Sequence, residues 1–315
     1  MIKYIVKRVA ISIPTIVIVA VLIFVSVNSI PGDPAVTVIG TEKVADINVI
    51  RERMGLNHSI TERLVIWLKG LLRGDLGESF FLGQSVWHAI KSRLPVTISL
   101  ATVALLIAVL IGVPLGIIAS LRPNSILDVV IKSISLVGVC TPEFFLGLIM
   151  MLVFSLTLKW LPTAGYVSLS EGFVPWLRRI ILPASTFGFG QAAYFTRIMY
   201  SSMLEALNQD YVLTARAKGQ NEFIIVIKHA FRNALLPIVT AIGMVYTMLL
   251  GGAFITETLF SLPGTGRLII TSITKRDYPV IQGTLLLLSS LIIGINLIVD
   301  ILYAFIDPRV RFGEK

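Results

Sequence analysis

The chain has 315 residues, 55% hydrophobic and only 14% charged, with 27 Lys and Arg against 18 Asp and Glu for a net charge of +9. A soluble domain carries roughly a quarter charged residues. This chain therefore lacks the polar side chains for a water-facing surface, and its mean hydropathy of +0.86 points to an integral membrane protein. The basic excess does not indicate a nucleic-acid partner, because the cations are scattered between apolar runs with no basic, aromatic-interleaved stripe; cytoplasmic loops account for it better. Cys140 is the single cysteine, which excludes an intrachain disulfide and a cysteine-built zinc site, and His58, His88 and His229 have no metal-binding spacing.

Runs of about 20 apolar residues cross a bilayer core of roughly 30 Å. The sequence predicts six such spans, at residues 9–30, 95–120, 133–158, 181–199, 236–256 and 281–306, and hence an all-α polytopic membrane protein. The first run follows Lys3, Lys7 and Arg8 as in a signal peptide. It is longer than an h-region of about 7–15 residues and no A-x-A pattern follows, so it reads as a retained anchor. Pro31-Gly32-Asp33-Pro34 ends it with a rigid turn, since both prolines forbid helix continuation. Residues 31–94 then carry 8 basic and 7 acidic residues, and the amphipathic Trp67-Leu68-Lys69-Gly70-Leu71-Leu72 predicts a folded loop. A loop of this length is translocated largely regardless of charge. Without it, 13 basic residues fall on the side of the N-terminus and 6 on the other, which places both termini in the cytoplasm. The expected division is residues 1–94, a transmembrane helix with an extracytoplasmic loop, and residues 95–315, a five-helix core.

Within span two, the Gly112-x-x-x-Gly116 spacing permits close helix packing. In span three Glu143 follows Pro142, which breaks the hydrogen-bond ladder. A charge at mid-depth costs roughly 2.5–3.5 kcal/mol on insertion scales. Glu143 is thus a candidate for a water-filled pathway that attracts a cationic group such as a peptide amino terminus; the alternatives are a protonated carboxyl or a hydrogen bond to a neighbouring helix. Cys140, Ser185, Gly188 and Gly190 read as packing residues, Arg197 as snorkelling to the interface, Glu257 as the outer end of span five and Asp300 as structural.

Residues 200–235, between spans four and five, show two helical patterns flanking a break. Tyr200, Met203, Leu204, Leu207 and Tyr211 form one, and Phe223, Ile224, Ile227 and Phe231 the other. Between them stands Ala215-Arg216-Ala217-Lys218-Gly219, where Gly219 permits a sharp turn or C-cap, the alanines admit another backbone, and Arg216 and Lys218 offer charge to an acidic partner.

Six features then resemble the permease subunits of ATP-binding cassette importers, specifically the first of the two permeases in the dipeptide/oligopeptide/nickel family. They are Ile30-Pro31-Gly32-Asp33-Pro34-Ala35; Gly74-Asp75-Leu76-Gly77; Asp210-Tyr211-Val212 with Thr214 through Gly219; His229-Ala230-Phe231-Arg232-Asn233-Ala234-Leu235-Leu236-Pro237; Leu262-Pro263-Gly264-Thr265-Gly266-Arg267 with Arg276-Asp277-Tyr278-Pro279-Val280; and Asp307-Pro308-Arg309. They occur in the family's order over nearly the whole chain. The resemblance implies the type I importer permease fold and a coupling role for Thr214, Ala215, Arg216, Ala217, Lys218 and Gly219, docked into a groove of an ATPase subunit. The general importer signature has Glu-Ala-Ala where this chain has Leu213-Thr214-Ala215, and the distance from Gly219 to Pro237 is longer; both departures resemble the peptide branch.

No G-x-x-x-x-G-K-[ST] loop is present to cradle phosphates, and the glycine-rich Pro263-Gly264-Thr265-Gly266-Arg267 reads as a tight turn outside the membrane. The chain is therefore expected to be no enzyme and to carry no cofactor or metal of its own, ATP and Mg being bound by partner ATPases. The implied partners are a second related permease, two ATPase subunits inside, a substrate-binding protein outside and membrane lipid, in a cell inner membrane. The substrate stays open among dipeptides, longer peptides, small peptides such as glutathione, and nickel or its chelates. A stand-alone secondary transporter would be expected to show an internal repeat, and an intramembrane hydrolase a catalytic cluster within the spans; neither is evident.

Overall fold

The structure is a computed structural model that describes residues 2–39 and 47–306; the Asp307-Pro308-Arg309 motif and the basic residues after it lie outside the described residues. The described elements are helices, and the only strand-like pairing among them is the isolated bridge of Glu78 with Ser85. In chain order they are α1 Ile2–Asn28, α2 Pro34–Ile39, α3 Ile47–Arg53, α4 Ile60–Leu72, α5 Val86–Lys91, α6 Leu94–Leu121, α7 Ile126–Cys140, α8 Glu143–Met150, α9 Phe173–Leu207, α10 Asp210–Ala217, α11 Glu222–Ile224, α12 Arg232–Gly252, α13 Phe254–Leu259, α14 Thr265–Lys275 and α15 Tyr278–Ile306. Two wide π-helical stretches extend the set, Met151–Thr157 after α8 and Ile225–Phe231 between α11 and α12.

Four helices are long and apolar enough to cross a membrane, Ile5–Asn28, Val86–Leu121, Glu222–Gly252 and Tyr278–Ile301. A fifth crossing arises if the bent pair Ile126–Cys140 and Glu143–Thr157 counts as one span. The continuous third span expected over residues 133–158 is thus corrected: α7 and α8 meet at 106°. Thr141 and Pro142 sit in extended conformations there, and a proline has no amide to continue the ladder. The predicted fourth span lies inside α9, a 35-residue helix with too few strongly apolar residues to qualify. Its middle, Ala184 to Ala193, is built of small, polar and aromatic side chains, and most of them are buried. Hydropathy measures the match to lipid, whereas α9 is matched to protein.

The chain groups into two compact units. In the unit of Ile98–Leu262 with the end of α15 from Ile295, α9 is central. A Cβ on Gly112 would lie 2.4 Å from the Ala192 carbonyl oxygen and one on Gly116 2.6 Å from that of Thr196, so this glycine pair sets α6 directly on the α9 backbone. Gly188 does the reverse, its position lying 2.5 Å from the Ala104 carbonyl oxygen on α6. In the unit of Ile2–Thr97 with Pro263–Gly294, Val86, Ala89 and Ile90 of α5 pack with Leu268 and Val280, while Val27 of α1 packs with Tyr278 and Ile281.

Candidate functional site

The segment singled out for coupling folds as a helical hairpin. Asp210 opens α10 and Arg216 lies in its last turn, each on the side that the helix dipole favours. The helix closes with Gly219 N–H donating to the Arg216 carbonyl (2.9 Å) and Gln220 N–H to that of Ala215 (3.2 Å). This closure needs a left-handed residue, and Gly219 supplies it at φ +76°. Nothing lies within 4 Å of the Cβ that another residue would carry there, so glycine is required for backbone conformation and not for space. Asn221 caps the returning helix through the Phe223 amide (2.8 Å). Across the turn Arg216 donates to Glu222 through Nε (2.8 Å) and Nη2 (3.3 Å).

The hairpin's own core is small: Val212 and Ala215 of α10 close on Ile225. Ala215, expected to receive a foreign backbone, is therefore occupied internally, while Ala217 and Lys218 face out. The stripe Phe223, Ile224 and Ile227 also faces out, and burial falls on Ile225, Val226 and Ala230 of the opposite face. Leu213, Phe223 and Ile224 are 55%, 72% and 45% exposed, which leaves an apolar patch beside Arg216 and Lys218 at the tip of the hairpin.

Glu143 stands elsewhere in the same unit, in the first turn of α8 with Pro142 before it. Its carboxylate accepts a hydrogen bond from the buried Thr256 hydroxyl of α13. It borders a cavity of about 560 Å³ between α7, α8, α9 and α12, where Gln191 and Tyr194 provide the other large polar groups and Met244 and Met248 line the α12 side. Glu143 thus makes the hydrogen bond to a neighbouring helix and also borders an open space. Among the described residues no group of three or more His, Cys, Asp or Glu is placed to hold a metal ion.

The motifs at residues 30–35 and 263–280 meet within the other unit, a meeting that motif reading alone missed. The Arg276 guanidinium lies against Gly32, where a Cβ would fall 2.3 Å from its Cζ, and Gly32 has φ +108°. Asp33 caps α2 through the Ala35 amide (2.9 Å) and accepts Arg51 Nε (2.9 Å). Burial pushes the Asp33 carboxyl up, but the hydrogen bonds from Arg51 and Ala35 and the charges of Arg51 and Arg276 outweigh it and hold it below its ordinary value of 3.8. Asp277 is buried and accepts from the Ser79 hydroxyl and the Phe80 amide (3.2 Å). There burial prevails and pushes the carboxyl above 3.8. The glycine-rich stretch read as a tight turn instead starts a helix: Gly264 is the N-cap of α14, and Thr265 pairs its amide (2.8 Å) and hydroxyl (2.9 Å) with the Thr97 hydroxyl. Only the covariation of distant motifs signals these meetings, and one sequence carries none.

Comparison with known proteins gives a consistent result. Residues 112–312 match the family model described as binding-protein-dependent transport system inner membrane component, and residues 1–101 match its N-terminal companion. A peptide transport system permease protein of Brucella abortus is 44% identical over 98% of both chains. A peptide ABC transporter permease of Sinorhizobium fredii is 39% identical over 98% of this chain and 99% of that one. The glutathione transport system permease of Salmonella choleraesuis is 40% identical over 99% and 100%. Among solved structures, the inward-facing MetNI methionine ABC transporter matches with a TM-score of 0.55 at 19% identity, covering 67% of this chain and 93% of that one, a likeness of fold.

Proposed function

Since this chain belongs to the binding-protein-dependent transport system inner membrane components, we propose that it forms half of the translocation pathway of an ATP-driven peptide importer. Peptide as the substrate class rests on the names of full-length relatives, peptide permeases at 44% and 39% identity and a glutathione permease at 40%. ATP and Mg are bound and hydrolysed by two partner ATPases, a second related permease completes the pathway, and a binding protein delivers substrate from outside. The chain lies in the inner membrane with both termini in the cytoplasm, an orientation in which the Gly219 hairpin is inside and the turns at Gly32 and Arg276 are outside.

The observation that carries coupling is the solvent-facing tip at residues 213–224, apolar at Leu213, Phe223 and Ile224 and basic at Arg216 and Lys218. A membrane protein has no reason to hold large apolar side chains in cytosol unless something covers them. Thr214 through Gly219 form the docking helix and its stop, and closure of the ATPases moves α9 and α12, the helices on either side of the hairpin. Glu143 serves as an anionic group on the pathway, on the cavity formed with Gln191 and Tyr194.

The test is made on the reconstituted four-subunit assembly with its binding protein. Gly219→Val forces a β-branched residue to positive φ and is expected to abolish substrate-stimulated ATP hydrolysis while the subunit still inserts; Gly219→Asn, which tolerates that conformation, retains it. Full peptide uptake by Gly219→Val removes the coupling role.

A further inference from the structure

Within the unit of Ile2–Thr97 with Pro263–Gly294 a second cavity, of about 510 Å³, opens between α4, the turn at residues 75–80 and the start of α15. Two donors on its wall are unanswered. The Arg63 side chain makes no hydrogen bond or ion pair among the described residues, although its guanidinium is half-buried and lies within electrostatic reach of Tyr278 on the same wall. Trp67, stacked on Phe24 with ring centroids 5.6 Å apart, holds its indole N–H buried without an acceptor. A guanidinium keeps its proton, and indole nitrogen is a donor only, so neither group can relieve its desolvation by changing state. They sit one turn apart on the same face of α4 (i and i+4).

The opposite sign is present too. Asp75 commits one carboxylate oxygen to the Gly77 amide (2.8 Å), and Glu78 makes no side-chain hydrogen bond among the described residues. Two carboxylates on the wall repel a doubly charged phosphate. A planar carboxylate that also carries an ammonium suits both sets of groups, because guanidinium meets carboxylate as a fork.

We propose that this cavity is a binding site for a small zwitterion, a free amino acid or short peptide, whose carboxylate is held by Arg63 and the Trp67 indole N–H and whose ammonium faces Asp75 and Glu78. Peptide as the natural occupant rests on the proposed function. The site makes the outer unit a peptide-recognising surface, separate from the Glu143 cavity in the other unit.

The test uses the complete assembly in lipid nanodiscs without binding protein or nucleotide, titrated calorimetrically with dialanine, dialaninamide, N-acetyl-dialanine and inorganic phosphate. Dialanine is expected to bind, with affinity lowered about 10- to 100-fold by loss of its carboxylate, the worth of a hydrogen bond to a charged group. Arg63→Gln lowers dialanine affinity by a similar factor and leaves dialaninamide unchanged. Trp67→Phe, which keeps the ring on Phe24 and deletes the donor, lowers dialanine affinity several-fold. Dialanine and dialaninamide binding alike, phosphate displacing dialanine at equal concentration, or both variants binding as wild type would overturn the site. Peptide uptake is measured in parallel. Uptake with Arg63-independent binding removes this site alone; Arg63-dependent binding with no peptide uptake removes the peptide-import reading alone.

Discussion

The motif-rich unit of Ile2–Thr97 with Pro263–Gly294 and the Gly219 hairpin handle polar and apolar groups in opposite ways. In that unit the motifs answer one another: Arg276 covers Gly32, Arg51 holds Asp33, and Ser79 and Phe80 hold Asp277, while Thr97 receives Thr265. In the hairpin Val212, Ala215 and Ile225 form a small core and Arg216 pairs with Glu222, while the large apolar side chains around the tip point outward. The difference teaches that family motifs are of two kinds. One kind closes a structure from within, and the other leaves large apolar side chains facing out.

This contrast is best broken from the motif-rich unit first. Asp277→Ala strands the buried Ser79 hydroxyl and the Phe80 amide, and at about 1–3 kcal/mol for each buried group left unpaired it should lower the unfolding temperature of the purified subunit by several degrees. An unchanged melting curve would show that this unit is not self-satisfied. The matching change on the hairpin is Phe223→Asp. Because the side chain is 72% exposed, stability stays within about 0.5 kcal/mol, while co-purification of the ATPase subunit weakens by about 2 kcal/mol, the worth of an interface hot spot. Equal losses of stability and of partner would erase the distinction.

Titration sharpens the comparison within the motif-rich unit further. Asp277 has its carboxyl raised above 3.8, so its neutral form favours the folded state; that contribution is present at low pH and lost as pH rises through the raised value. Asp33 is lowered below 3.8, so its contribution is present above 3.8 and lost as pH falls through the lowered value. Unfolding temperature against pH should therefore flatten above 3.8 in Asp277→Asn and below 3.8 in Asp33→Asn. Exchanged limbs would mean that the two environments have been assigned the wrong way round. The smallest effect is expected at the hairpin's ion pair. Arg216→Gln removes the fork to Glu222, an exposed pair worth about 1 kcal/mol or less, and should leave thermal unfolding nearly unchanged while reducing stimulated ATP hydrolysis.

Much of the fold was legible in the sequence. The first, second, fifth and sixth apolar runs each fall in a helix fit to cross the membrane, and Pro142 announced a break in the third. The 106° angle at that break was not legible, because a proline removes a hydrogen bond without saying which way the chain turns. The fourth run was located but its character was not, since Ala, Gly and Thr in a sequence look alike whether they meet lipid or another backbone. In the hairpin, Gly219 was found for the right reason, its turn, whereas the face of the helix after it was not assigned: the exposed Phe223 and Ile227 repeat with the same period as the buried Val226 and Ala230. Arg63 and Trp67 carried no signal at all, because a missing partner leaves no trace in a one-dimensional pattern.

The composition of α9 bears on how the protein is made. A helix whose middle runs Thr186-Phe187-Gly188-Phe189-Gly190-Gln191 has little affinity for hydrocarbon and gains its place from backbone contact with α6 through Gly112, Gly116 and Gly188. A bulky residue at Gly112 would remove the backbone contact that seats α9 against α6, and the mis-seated chain would become a target for quality-control proteases.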